Sequence, residues 1–159
     1  MTNPIRDTDD DAREMAVGFL RSCRHAALGV MITDQQPLVT RIAFGLDLDG
    51  TPLSLISGLS AHTKALRARP QCSLLLGEPG ERGDPLSHPR LSLMATAQIM
   101  PRDGADHDAR AAHYLSQTPK AKLYLSLADF TFVRFAVQEA ALNGGFGKAY
   151  QLQPSDLGL

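Results

Sequence analysis

Neither sign of charge dominates the 159-residue chain: sixteen Lys and Arg stand against seventeen Asp and Glu, a net charge of -1. That balance gives no electrostatic footprint for nucleic acid or an anionic membrane, and neither is expected as a partner. Cysteine is scarce. Cys23 and Cys72 lie in apolar stretches without a CxxC partner, and they read as small buried hydrophobes in a reducing compartment. No apolar run approaches the ~20 residues a membrane span requires. The start, Met1 to Asp7, is polar and then acidic, unlike a secretory signal, so a cytoplasmic protein is expected. Repeats and low-complexity tracts are absent. So are a GxGxxG or P-loop in context, a Ser-His-Asp or Cys-His constellation, and metal-ligand spacing. No metal site is expected, and the pattern names no catalytic residue.

What is present is a run of short apolar segments between turns. Residues 8–25 read as a helix: Ala12, Met15, Ala16, Phe19, Leu20 and Cys23 recur on one face, with Thr8 a candidate N-cap. Asp9, Asp10 and Asp11 suit the positive end of its dipole, and Arg21, Arg24 and His25 the other. Strands are predicted over 26–33, 38–48, 53–57, 71–76, 90–99 and 130–142, with Asp49-Gly50 marking a tight hairpin. Leu91, Leu93, Ala95 and Ala97 alternate with Ser92, Met94, Thr96 and Gln98. Helices are predicted over 103–116 and 119–127, and Asn143-Gly144-Gly145-Phe146-Gly147 reads as a turn. Connections this short make neighbouring strands antiparallel. The expected class is mainly β: a six-stranded antiparallel barrel with flanking helices, in one domain over 1–159. Its parts are the N-terminal helix (8–25), the barrel (26–142) and a C-terminal tail (143–159).

The segment with the most chemistry runs from Ser57 to Leu76. Ser60 is a good N-cap, which leaves the amides of Ala61, His62 and Thr63 as open donors of a first helical turn. That turn is partially positive, and Lys64 adds a full charge. Amides, a threonine hydroxyl and a lysine together can hold a phosphate. Arg41, a lone charge in an apolar strand, must reach solvent or an anion. The competing reading is a plain cap, with Lys64, Arg67 and Arg69 as a solvated face.

The order of these pieces resembles the FMN-binding split-barrel superfamily typified by pyridoxamine 5′-phosphate oxidase. The pieces are a strand arginine, a DG hairpin, a strand ending in serine, a basic helix start, then proline and an "SLLL" strand. "HTKALRARP", "GDPLSHPRLSL" and "ALNGGFGKA" are similar to the HugZ and HutZ haem-utilisation branch. The resemblance implies a six-stranded split barrel that forms a homodimer, with FMN in a groove at the interface and a small-molecule substrate. It also implies an oxidoreductase in which Arg41 faces the flavin phosphate and ribityl region and Ile56 and Ser57 border the cofactor. Ala61, His62, Thr63 and Lys64 would hold the phosphate. Arg90 and Asp129 match positions near haem in the HugZ branch and are candidates for a second site. Two departures are visible in the sequence. No arginine follows Arg134, where the oxidases bind substrate, and His113 is the last histidine, where the haem-degrading relatives place an iron ligand later. Haem binding or degradation is the alternative expectation, and a cofactor-free binding module is a third.

Overall fold

The computed structural model describes residues 3–159. Met1 and Thr2, part of the expected domain, lie outside them. A short strand β1 (Ile5–Arg6) leads into helix α1 (Asp10–Ser22). Asp9, not Thr8, caps α1 by accepting the Ala12 amide at 2.8 Å, while the Thr8 hydroxyl donates to the Gln151 carbonyl. The helix is shorter than the expected 8–25 because Cys23 is already extended and His25 opens a strand. Its buried stripe is Ala12, Ala16 and Leu20, small enough to bring the helix close against the sheet.

The six expected strands all form. They are β2 (His25–Met31), β3 (Pro37–Ala43), β5 (Pro52–Ser57), β6 (Gln71–Leu76), β7 (Arg90–Ile99) and β8 (Phe130–Asn143). Among the described residues nine strands rather than six make the sheet, for local reasons. The predicted strand over 38–48 breaks at Phe44, whose amide turns to the Arg24 carbonyl, so Gly45–Leu46 becomes a separate β4. The tail returns as β9 (Ala149–Leu152), and β1 pairs with it in parallel, a departure from the expected antiparallel sheet. The main order is β1-β9-β8-β7-β6-β2-β3, with β5 joined to β4 and to the first part of β8. That branch curls the sheet into a barrel, and the Ser54 hydroxyl bonds the Ala43 carbonyl across the β3–β5 side.

The predicted alternation in β7 is exact in burial: Leu91, Leu93, Ala95 and Ala97 point inward. Cys72 is buried, with its thiol pushed up to about 12 by burial, and Cys23 is half-buried; both are free thiols. Helix α2 (Ala61–Ala68) joins β5 to β6. The helix predicted over 103–116 begins later, as α3 (His107–Gln117), and the next forms a 3-10 turn at Pro119–Ala121 followed by α4 (Lys122–Leu125). Under α3 lies a second small core of Leu53, Leu55, Tyr114, Ala121 and Phe132. Among the described residues no helix is long and apolar enough to cross a membrane.

Beside that second core sits a buried ionic cluster that no sequence pattern announced. Asp47, 2% exposed, accepts from Arg110 Nε at 2.9 Å and from Arg134, which also reaches Asp49 at 2.8 Å. Burial alone would raise the Asp47 carboxyl, but Arg110, the Leu48 amide and Arg134 together bring it below its ordinary value.

Candidate functional site

The strand end and helix start singled out in the sequence form one wall of a groove of about 290 Å³. Its lining comes from the end of β3 (Arg41, Ile42, Ala43), the end of β5 (Leu55, Ile56, Ser57), the start of α2 (Ser60, His62) and two aromatics, Tyr124 and Phe130. Apolar side chains make up most of the lining, and Arg41 brings a positive charge to it.

Each element places its residues for a local reason. In β3 the side chains alternate, so Ile42 faces the core and Arg41 stands exposed on the outer face. Ser60 is extended and starts α2 without a side-chain cap; its carbonyl accepts the amides of Thr63 (3.1 Å) and Lys64 (3.2 Å). The amides of Ala61 and His62 are left as the open donors of the first turn. Thr63 does not face the groove as the sequence suggested. It is 0% exposed, and its hydroxyl donates to the Ser57 carbonyl at 2.6 Å, tying the helix start to the strand end. Ala61 and Lys64 are exposed on the same turn without lining the groove. Of the seven expected cofactor residues, Arg41, Ile56, Ser57 and His62 therefore line it directly.

His62 has one answered nitrogen and one open. Nδ1 lies 3.0 Å from the Thr40 hydroxyl, while Nε2 is buried with no hydrogen-bond partner. Burial lowers the imidazole pKa, which favours the neutral ring. Such an orphaned polar atom is costly in a finished core and ordinary in a wall awaiting a ligand.

The two second-site candidates are not brought together. Asp129 adjoins the groove, accepting the Ser57 hydroxyl at 2.7 Å. Arg90 sits on a different cavity, with Glu139 and Tyr150, and donates to the carbonyls of Leu86 and His88. His88 holds its own loop: it accepts the Gly80 amide at Nδ1, so Nε2 carries the proton and donates to the Arg82 carbonyl at 2.7 Å. The Asn143–Gly147 segment reverses the chain into β9, with Gly145 and Gly147 at positive φ. Sequence reasoning missed Tyr124 and Phe130, whose rings lie 5.3 Å apart. Arg102 fixes this aromatic wall by donating to the carbonyls of Leu125, Leu127 and Phe130. No group of three or more His, Cys, Asp or Glu placed to hold a metal ion occurs among the described residues.

The outer face that carries Arg41 also exposes apolar side chains. In the strand register Arg41 lies beside Ala27 and then Leu75, and Val39 beside Gly29 and then Ser73. Val39 is 68% exposed and Leu75 43%. The face continues into a shallow concavity lined by Met31, Met94 and Gln138.

Residues 12–144 match the family model described as pyridoxamine 5′-phosphate oxidase. HOZ, a chloroplastic non-canonical haem oxygenase of Arabidopsis thaliana, is 32% identical over 114 residues, 72% of this chain and 34% of that protein. The chain thus spans about a third of that relative's length. A haem-binding protein from Mycobacterium smegmatis superposes with a TM-score of 0.81 at 25% identity, over 96% of this chain and 61% of the other. HutZ, the haem storage protein of Vibrio cholerae, superposes with a TM-score of 0.72 at 20% identity, over 84% and 90%, a likeness of fold.

Proposed function

The chain belongs to the pyridoxamine 5′-phosphate oxidase family, and on that premise we propose that it is an FMN-binding split-barrel protein acting as an oxidoreductase on a small molecule. The observation that carries this reading is one juxtaposition. Arg41 and the open first turn of α2 lie on a largely apolar groove of about 290 Å³. The residues fit the group. Arg41, Lys64 and the amides of Ala61 and His62 would hold the phosphate. Ile56 and Ser57, with the Tyr124–Phe130 wall, would border the ring, and the orphaned His62 Nε2 would gain a partner. Thr63 would serve from beneath, keeping the helix start in place.

Bound FMN would supply the redox chemistry, by exchanging electrons with the substrate. The chain's own part is to bind, to orient and to exclude water. No side chain in the groove needs to act as an acid or base, because the flavin would carry the redox step. We further propose a homodimer whose second copy covers the apolar face around Val39 and Leu75 and closes the groove. The setting is a reducing cytoplasm, which suits two free thiols.

Haem binding is the second reading, favoured by the names of the haem-handling relatives and by the imidazole in the groove wall. The test is the visible spectrum of the purified protein with FMN and, separately, with haemin. A flavin complex that Lys64→Glu weakens strongly supports the first reading. A Soret band without flavin uptake replaces it with the second, and uptake of neither leaves only a binding module.

A further inference from the structure

We infer that Asp129 is a positioning residue that locks the Ser57 hydroxyl as a hydrogen-bond acceptor toward the groove. The ligand met there must then bring an N–H or O–H donor. This rests on the flavin reading above and adds a rule for which cofactor the groove accepts.

Two strands build the arrangement. Ser57 ends β5 directly opposite Phe130, the first residue of β8, so Asp129 lies just beyond the paired ends. The Gly58 amide donates to the Asp129 carbonyl at 2.6 Å. A Cβ at position 58 would sit 3.0 Å from that oxygen, so glycine permits the close approach. With the backbones held, Asp129 Oδ2 receives the Ser57 hydroxyl proton at 2.7 Å, and Ser57 Oγ accepts the Leu59 amide at 3.1 Å.

A serine hydroxyl has one proton and two lone pairs. Here the proton is given to a carboxylate, a charge-assisted bond stronger than a neutral one, and one lone pair is given to Leu59. A single lone pair remains, on a residue that lines the groove. Turning the proton toward a ligand would strip Asp129 of this donor. The wall therefore offers an acceptor at Ser57. FMN carries donors of the required kind, an imide N–H and sugar-alcohol hydroxyls. Haem with ionised carboxylates carries none on its periphery, so the lock favours the flavin.

The experiment is a double-mutant cycle on FMN affinity at pH 8, with haemin as the control probe. Wild type, Ser57→Ala, Asp129→Asn and the double variant are compared, with melting temperatures to establish folding. Each single variant is expected to weaken FMN about three- to tenfold, the worth of one hydrogen bond. Asp129→Asn should add nothing in the Ser57→Ala background, because Asp129 acts through that hydroxyl. Ser57→Thr keeps the hydroxyl and should restore affinity, and haemin uptake should not follow the variants. If Asp129→Asn does not fold, the Ser57→Ala and Ser57→Thr pair decides. The inference is overturned if Asp129→Asn weakens FMN equally without the Ser57 hydroxyl, or if Ser57→Ala and Ser57→Thr behave alike. Wild type that takes up no FMN overturns the flavin reading itself, and the inference with it.

Discussion

Two ends of this barrel handle charge in opposite ways. At the α3 end, Asp47 is buried between Arg110 and Arg134, and Arg134 also reaches Asp49, so each charge has a partner. At the α2 end, Arg41 is exposed, two helix amides are open, and His62 Nε2 is buried without a partner. The first arrangement is complete within the chain and serves folding. The second leaves a cation and two helix amides open beside a groove. An unpartnered buried atom does not separate the ends, since Tyr114 Oη and Thr118 Oγ1 at the α3 end also lack partners. Perturbed groups alone would not separate them, since the largest ionic cluster lies at the structural end.

The sharpest break should come from Asp47→Ala. It leaves Arg110, buried at 6% side-chain exposure, without its carboxylate, and loss of one partner of a buried pair costs about 3–5 kcal/mol. Chemical denaturation should show that loss, while FMN binding of the folded fraction stays intact. Lys64→Glu should do the reverse. Flavin affinity should fall by about 1.5–3 kcal/mol, the range for charged hydrogen bonds, at an unchanged melting temperature. Thr63→Val tests which side Thr63 belongs to. Removing its bond to the Ser57 carbonyl should cost about 1 kcal/mol of stability, with flavin affinity nearly retained; a large loss of affinity would return Thr63 to the ligand side.

The smallest expected effect is acid sensitivity at the α3 end. Arg134 holds the Asp49 carboxyl at about 2, against an ordinary 3.8. A depressed folded value means the stabilisation is full above the ordinary range and is lost as pH falls from about 4 toward 2. The size is modest because Asp49 is 57% exposed. Arg134→Gln should flatten the pH dependence of stability in that window.

Local patterns carried much of the fold. The period of two in Leu91 to Gln98 set both faces of β7, and Ser60 followed by a basic turn located α2. What depended on distant chain was not legible. The apolar run 38–48 gave no hint that Phe44 would leave its strand for the Arg24 carbonyl. Likewise Asp9 and Thr8 are both good caps, and only the docking of Thr8 on Gln151 separates them. In the site, Arg41, Ile56, Ser57 and His62 come from segments whose local chemistry was visible. Tyr124, Phe130 and Asp129 join them only through the pairing of β5 with β8, about 70 residues on. The same pairing hid Arg134 as a partner of Asp47, and Arg110 reaches it from α3.

The contrast between the two ends is tested most directly by titrating FMN into Arg41→Ala beside wild type while following the melting temperature. Affinity should be at least about tenfold weaker with no loss of stability, since Arg41 answers no charge that folding requires. Equal affinity in the two proteins, or a lower melting temperature at equal affinity, would contradict that expectation and make Arg41 part of the scaffold.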